Sequence, residues 1–202
     1  MKNLIAAAVL GLSMTSAASA AILFSDDFSA STPGLNVTPA GWNVSNGRVD
    51  VIPCCFGQFD FYPGNNLYID MDGSTGDAGR ITTVATFSAI AGNLYTLAFD
   101  FGRNDLNTEL LTFGFGGTNG SLTIDGTNTT PGTFGSFSVT FAAMTTGLSS
   151  LFFEAPTSFD NQGPVIDNVS LSAVPVPAAG FLLVGALGGL AALRRRKAAL
   201  AA

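Results

Sequence analysis

Apolar and polar residues alternate with a period of two in several short stretches of this chain. The stretches are residues 49–51, 67–71, 97–101, 111–115, 137–141 and 165–171. Since residues at positions i, i+2 and i+4 of a strand lie on one face, each stretch predicts a strand with a buried face. Between residues 21 and 173 no comparable 3.6-residue period occurs. The pattern therefore predicts an all-β domain.

Turn-forming pairs separate these stretches, as at Asn46-Gly47, Asp125-Gly126 and Pro131-Gly132. Glycine and asparagine adopt the backbone conformations that tight turns require. Phenylalanine recurs on the alternating faces, where it is predicted to fill one core between two sheets. Short strands at this spacing predict a jelly-roll β-sandwich over residues 21–173.

Two apolar segments flank the predicted domain. Lys2 precedes an apolar run over residues 4–12, and Ala18 and Ala20 occupy the −3 and −1 positions of a signal peptidase site. Residues 1–20 are therefore predicted to be a secretory signal peptide. Residues 178–193 contain no charge, and as a helix they would extend about 24 Å, a marginal span that is short of the roughly 30 Å core of a bilayer. We predict a single transmembrane helix there.

A proline-containing motif and a basic cluster bracket this C-terminal apolar segment. The motif is Val174, Pro175, Val176, Pro177 and Ala178, and the cluster is Arg194, Arg195, Arg196 and Lys197. Cations beside a membrane span stay in the cytoplasm, so the domain is predicted to face outward. Residues 174–202 resemble the PEP-CTERM family of sorting signals, in the variant that usually reads Val-Pro-Leu-Pro-Ala. The resemblance implies processing by an exosortase and transfer from the membrane to the surface or extracellular matrix of a Gram-negative bacterium.

Charge and composition narrow the range of partners and reactions. Residues 21–173 hold all 14 acidic residues of the chain but only three of its eight cations. Such a surface disfavours nucleic acid and is compatible with divalent cations and neutral glycans. The chain has no histidine, which excludes Ser-His-Asp and Cys-His catalysis. A two-carboxylate glycosidase stays open, but Glu109 and Glu154 are the only glutamates and no spacing selects a catalytic pair.

Three segments of the predicted domain carry a second resemblance. They read YIDMDGS at 68–74, AGNLYTLAFD at 91–100 and GPVIDNVSL at 163–171. Together they resemble galactose-binding-like jelly rolls of bacterial exported proteins and plant cell-wall proteins. The resemblance implies a glycan-binding or wall-associated role, to which a purely structural matrix or adhesive protein is the alternative.

Sugar recognition requires flat aromatic rings and a few hydrogen-bonding groups, and the partner here would be an extracellular polysaccharide. The candidates for stacking are Trp42, Tyr62 and Tyr68, because Tyr68 has the opposite parity to its apolar neighbours and Tyr62 lies in a predicted loop. The candidates for hydroxyl contacts are Asp60, Asn65 and Asn66. For Trp42, a role as a core anchor is the alternative.

Calcium is the cofactor that the sequence suggests. Strand parity places Asp167 on the same face as Val165 and Val169, and it likewise points Asp26 inward. The first and last strands of a jelly roll lie side by side, so Asp26 and Asp167 are predicted to share a structural Ca²⁺. Hydrogen bonds to turn N–H groups are the alternative. Residues 70–77 lack the closing glutamate of an EF-hand and are interpreted as a strand ending in a glycine turn.

Cys54 and Cys55 are the only cysteines. In an oxidising exterior they could form a strained disulfide with each other, which would stiffen the loop. Free thiols and a bridge to another molecule remain the alternatives. Two cysteines without histidine cannot complete a four-ligand zinc site.

Overall fold

Antiparallel β-strands form the framework of the structure, a computed structural model that describes residues 20–104, 106–156, 160–175 and 188–189. Ala20–Val174 form one compact unit. Its strands are β1 (Ala21–Asp26), β2 (Trp42–Ser45), β3 (Asp50–Pro53), β4 (Leu67–Asp70), β5 (Arg80–Thr83), β6 (Phe87–Ala89), β7 (Leu94–Arg103), β8 (Glu109–Phe115), β9 (Thr118–Ile124), β10 (Gly135–Ala142), β11 (Gly147–Ser149), β12 (Phe152–Glu154) and β13 (Pro164–Ala173). A short 3₁₀ helix covers Gly57–Phe59.

The strands form two main sheets. The first has the order β10-β7-β13-β4-β3, and β1 pairs with β13 beside it; the second has the order β2-β5-β12-β8-β9. A two-strand ribbon joins β6 to β11. In the first sheet, β7 follows most of β13, while β4 pairs with the start of β13 and β1 with its end. The predicted all-β fold and the adjacency of the first and last strands are confirmed.

The main core lies between the two sheets and is rich in phenylalanine. Phe99 from β7 contacts Phe113 from β8 and Phe153 from β12, with ring centroids 5.8 and 5.1 Å apart. Leu97, Phe99 and Phe101 alternate with less buried neighbours, as the sequence pattern predicts. Burial of these aromatic side chains is the main stabilising contribution to the sandwich.

A second apolar cluster covers the outer face of the first sheet. Ile52, Tyr68 and Val165 project from β3, β4 and β13, and Tyr62 packs onto them from the loop at 54–66. This loop connects β3 to β4 and folds back over the sheet. Because both of its faces are covered, every residue of β4 is buried.

A β-bulge in β13 changes which face its residues occupy. Asn168 has a left-handed φ of 49°, and the register with β7 shifts between Asp167 and Ser170. Consequently Val165 packs in the outer cluster, whereas Val169 packs in the main core. The prediction that both share a face with Asp167 is therefore wrong, because one extra residue reverses the alternation.

The predicted targeting segments lie almost wholly outside the described residues. This applies to Ala18 in the predicted cleavage site, to residues 176–178 of the motif and to the basic cluster at 194–197. Val174 is described, and its N–H donates to the carbonyl of Leu94 at 2.9 Å. In the described part of the chain, no helix has both the length and the apolar character needed to cross a bilayer. The signal peptide, the transmembrane helix and the sorting signal stay predictions.

Candidate ligand-binding cleft

A cleft of about 470 Å³ opens on the outer face of the first sheet. Its walls combine two aromatic rings with carboxylate, amide and hydroxyl groups. The lining residues are Asp50, Ile52, Gln58, Phe59, Phe61, Asp70, Ser74, Asn161 and Gln162. Apolar surface with a few convergent polar groups is typical of sites that bind small or extended organic ligands.

The loop at 54–66 supplies both aromatic rings. Phe59 and Phe61 are half-buried in it, packing partly against the outer cluster while lining the cleft. The buried Tyr68 fixes their main chain, because its hydroxyl accepts the N–H of Phe61 at 3.0 Å and donates to the carbonyl of Phe59 at 3.3 Å. The tyrosine of β4 thus sets the position of the two rings.

Hydrogen bonds of Asp60 and Tyr62 also stabilise the loop at 54–66. The Asp60 carboxylate accepts the N–H groups of Cys55 at 2.7 Å and Tyr62 at 3.1 Å. The Tyr62 hydroxyl donates to the carbonyl of Arg103 at 2.6 Å, which anchors the loop to β7. Burial raises the pKa of the Tyr62 hydroxyl well above its usual range, so it stays protonated as the donor.

Asp50 and Asp70 form the acidic floor of the cleft. They are partners across β3 and β4 and therefore share the outer face. The Asp50 carboxylate accepts the N–H of Asn36 at 2.6 Å and both the N–H and the hydroxyl of Ser74. The Asp70 carboxylate accepts the N–H of Asp72 at 3.0 Å and Nδ2 of Asn104 at 2.7 Å. All four carboxylate oxygens thus have internal donors, an arrangement suited to structure rather than to proton transfer.

The electrostatics of this floor disfavour an uncompensated negative charge on Asp70. Burial raises the pKa of the Asp70 carboxyl well above its ordinary value, and the neighbouring carboxylates of Asp50 and Asp72 raise it further. Ionisation of a buried acid among other acids is unfavourable unless a cation compensates it.

Trp42 does not lie at the surface. Its side chain is 2% exposed in the main core, where Nε1 donates to Oδ2 of Asp26 at 2.7 Å. The ring of Phe24 meets it edge-on, with centroids 5.4 Å apart. The prediction of an exposed stacking face is therefore wrong, and Trp42 is a core anchor instead.

Tyr62 and Tyr68 are also unavailable for stacking. They are 2% and 0% exposed, respectively, and both belong to the outer cluster. Strand parity correctly separates Tyr68 from Leu67 and Ile69, but that face is covered by the loop rather than by solvent. The prediction that these tyrosines are exposed is wrong for this reason, and their contact with sugar stays a prediction.

The three predicted hydroxyl partners lie outside the lining of the cleft. Asp60 caps the loop N–H groups, as described above. Asn65 donates from Nδ2 to Oδ2 of Asp167 at 2.9 Å. The exposed Asn66 accepts the N–H of Cys54 at its carbonyl, at 2.8 Å. Their contacts support the loop instead of presenting polar groups to the cleft.

Asp26 and Asp167 have separate hydrogen-bond partners. Asp26 accepts the N–H of Phe28 at 2.8 Å in addition to Nε1 of Trp42. Asp167 accepts the N–H of Asn168 at 2.7 Å in addition to Nδ2 of Asn65. These bonds match the alternative in which the two carboxylates bind turn N–H groups. A Ca²⁺ shared between them stays a prediction.

Cys54 and Cys55 are free, exposed thiols with their Sγ atoms 2.6 Å apart. Cys55 has a left-handed φ of 70°. Within the described residues, Cys54, Cys55 and Asp60 are the one group of three acidic or thiol ligands whose ligand atoms lie within 4.8 Å of one another. Since both oxygens of Asp60 accept loop hydrogen bonds, the group is committed to loop structure.

Comparison with known proteins identifies the fold. No protein-family model matches the chain, and no curated protein matches it. The CBM22-1 xylan-binding domain of Paenibacillus barcinonensis Xyn10C is similar over 80% of this chain and 99% of its own length, with 14% identity and a TM-score of 0.51. Arabinose-bound MgGH51 α-L-arabinofuranosidase is similar over 73% of this chain but only 25% of the enzyme, with 17% identity and a TM-score of 0.53. These likenesses support the predicted jelly-roll β-sandwich.

Proposed function

We propose that this chain is a non-catalytic carbohydrate-binding protein and that the cleft binds a segment of polysaccharide. The observation that carries the proposal is the placement of Phe59 and Phe61, two rings from one loop, beside the amides of Gln58, Asn161 and Gln162. Aromatic rings stack on the apolar faces of sugars, and amides bind hydroxyl groups. The β-sandwich shared with a xylan-binding domain supports this use of the fold.

The charge of the cleft favours a neutral glycan. Asp50 and Asp70 lie in its floor, and its lining includes no lysine or arginine. A uronic acid would bring its carboxylate towards Asp50 and Asp70 with no lysine or arginine in the lining to compensate it, which is unfavourable. We therefore assign a polysaccharide of uncharged sugars as the partner.

The same carboxylates support a binding role over glycoside hydrolysis. A glycosidase needs one carboxylic acid and one carboxylate facing the scissile bond from opposite sides. Asp50 and Asp70 instead direct their oxygens to Asn36, Ser74, Asp72 and Asn104. Glu154 is on β12 in the other sheet and forms an ion pair with Arg80 at 3.3 Å.

Replacing Phe59 or Phe61 by leucine should weaken binding about 5–10-fold each, because leucine keeps apolar volume but loses the flat ring. Binding of the full-length chain to uncharged xylan and to acidic polygalacturonate can be measured by affinity electrophoresis. Phe152→Leu is the matched control, since Phe152 is a half-buried ring beneath Arg80 on the second sheet.

Two results would contradict the proposal. The first is equal retardation of the two cleft variants and the unsubstituted chain. The second is free migration through every polysaccharide, which would favour a structural matrix protein.

Export and sorting form the cellular part of the proposal, and the sequence supports them. The signal peptide at 1–20 would direct export, and an exosortase would process the motif at 174–178 after the C-terminal helix enters the membrane. The mature protein would then reside at the cell surface or in the extracellular matrix. Mass spectrometry of surface material should find peptides from 21–173 but none after residue 178. Recovery of an intact C-terminus at the surface would contradict this processing.

A further inference from the structure

A buried polar cluster lies at the end of β4, beneath the cleft. Asp70, Asp72 and Asn104 are 4%, 0% and 6% exposed, respectively. Asp70 connects the other two, because Oδ1 accepts the N–H of Asp72 at 3.0 Å and Oδ2 accepts Nδ2 of Asn104 at 2.7 Å. The three side chains come from the β4 end and the β7 end, which the sheet brings together.

Two oxygens of this cluster have no hydrogen-bond donor. Within the described residues, Oδ1 of Asp72 and Oδ1 of Asn104 are buried without a partner. The other Asp72 oxygen accepts the N–H groups of Asp160 and Asn161, at 3.0 and 2.9 Å. Buried acceptors are rarely left unsatisfied in folded proteins, so each orphan oxygen indicates a missing partner. Both oxygens belong to residues that donate a hydrogen bond to the Asp70 carboxylate.

The surroundings of the cluster are acidic. Asp50 and Glu109 are buried, and their charges act on Asp70. Arg103 precedes Asn104 in the chain. Its Nη1 donates to the carbonyls of Leu106 and Asn107, at 3.0 and 3.1 Å, and its buried Nε has no hydrogen-bond partner within the described residues. Neither Asp70 nor Asp72 forms an ion pair with a described residue.

We propose that Asp70, Asp72 and Asn104 form a binding site for a divalent hard cation, Ca²⁺. The Oδ1 atoms of Asp72 and Asn104 would be ligands, and the Asp70 carboxylate, whose oxygens accept hydrogen bonds from both residues, would hold them in place. Carboxylate and amide oxygens are the ligands that Ca²⁺ prefers, and its variable geometry allows main-chain carbonyls and water to complete the shell. The cation would satisfy both orphan oxygens.

This site differs from the one predicted between β1 and β13. The carboxylates of Asp26 and Asp167 already accept donors from Trp42, Phe28, Asn65 and Asn168. The cluster at the end of β4 has the unsatisfied acceptors instead. The proposal does not depend on glycan binding, and its test includes no glycan.

Calcium titration of the full-length chain, purified in detergent and freed of metal with a chelator, tests the site. Calorimetry should show one Ca²⁺ per chain, and the thermal midpoint should rise by roughly 5 °C in excess Ca²⁺. Asp72→Asn should weaken Ca²⁺ binding at least tenfold. Asp125→Asn, at an exposed turn carboxylate that accepts the N–H of Thr127, should leave it unchanged.

Asn104→Asp provides a test in the opposite direction. An added carboxylate should strengthen Ca²⁺ binding, but in EDTA it should lower the thermal midpoint by repelling Asp70. If Asp72→Asn does not fold, the Ca²⁺ affinity and thermal midpoint of Asn104→Asp test the site. Three results would overturn the proposal: no saturable binding, the same Ca²⁺ response in Asp72→Asn as in the unsubstituted chain, or binding that is lost in Asp167→Asn but not in Asp72→Asn. Mg²⁺ titrated alone should bind more weakly, and tighter binding of Mg²⁺ would overturn the assignment to Ca²⁺.

Discussion

Replacing Trp42 by alanine is expected to lower the free energy of unfolding by about 3–5 kcal/mol, the usual cost of removing a large buried aromatic residue. The side chain is 2% exposed. Its ring contacts Phe24, Phe28 and Phe153, with centroids 5.4, 5.9 and 6.2 Å away. These contacts join β1 and the segment after it to the second sheet, so the cavity would lie in the main core at the β2 edge of that sheet.

Trp42→Phe separates the packing of the ring from its hydrogen bond. It keeps an aromatic ring in the core but removes the donor to Oδ2 of Asp26, which should cost about 1–3 kcal/mol. Urea unfolding followed by circular dichroism measures both variants, since Trp42 is the only tryptophan and fluorescence would be lost. Leu148→Ala is the control, because Leu148 is 77% exposed and its loss should change stability little.

A different outcome would restore a surface role for Trp42. If Trp42→Phe kept full stability but lost retention on xylan, its indole would have to reach the ligand. That result would contradict the buried position. Retention equal to that of the unsubstituted chain is expected, because Trp42 is not among the residues that line the cleft.

Alternation along the sequence predicts the fold well because it reports burial against one core. In β7, Leu97, Phe99 and Phe101 are buried, whereas Thr96, Ala98 and Asp100 between and before them are only partly buried, as the alternation predicts. The pairing of β1 with β13 follows from the topology of a jelly roll rather than from any local signal. The first prediction depends only on which face of a strand is apolar, and the second depends on the fold class.

The same alternation fails where a strand is covered on both faces. Tyr68 has the parity of an exposed residue, yet the loop at 54–66 folds over its face of β4. Contacts between a loop and the sheet it connects are not local, so alternation within the strand cannot show them. The bulge at Asn168 is a second failure, for which the asparagine itself is the one sequence signal, since asparagine tolerates a left-handed backbone.

Patterns along the sequence do not predict the cleft, because its residues come from separate segments of the chain. Its floor is on β3 and β4, its rings come from the loop between them, and Asn161 and Gln162 precede β13. Alternation predicts a core role for strand phenylalanines and does not identify Phe59 and Phe61, which lie in a loop. Their position in a loop, on either side of an aspartate and between two glycines, is the signal that separates them from strand phenylalanines.

Gly102→Ala is expected to impair stability and glycan binding together. A Cβ at this position in β7 would lie 2.0 Å from Oη of Tyr62, which cannot move aside easily because its ring packs against Phe134 with centroids 4.2 Å apart. The clash and the weakened bond to the Arg103 carbonyl should cost about 1–3 kcal/mol. Displacement of Tyr62 would also move Phe59 and Phe61, which follow the same loop, so retention on xylan should fall.

A double-mutant cycle with Tyr62→Phe tests this mechanism. Tyr62→Phe alone should cost about 1 kcal/mol for the hydrogen bond to the Arg103 carbonyl. Tyr62→Phe removes the atom nearest to the added Cβ and leaves Cζ at 2.7 Å from it. Gly102→Ala should therefore destabilise the Tyr62→Phe variant less than the unsubstituted chain, with a coupling free energy between the two substitutions of roughly 0.5–3 kcal/mol. Gly126→Ala is the matched control, since its Cβ would meet only Arg103 Nη2, at 3.4 Å. Additive costs would show that Gly102 is required for some reason other than the approach of Tyr62, and the loop would then not be anchored through this contact.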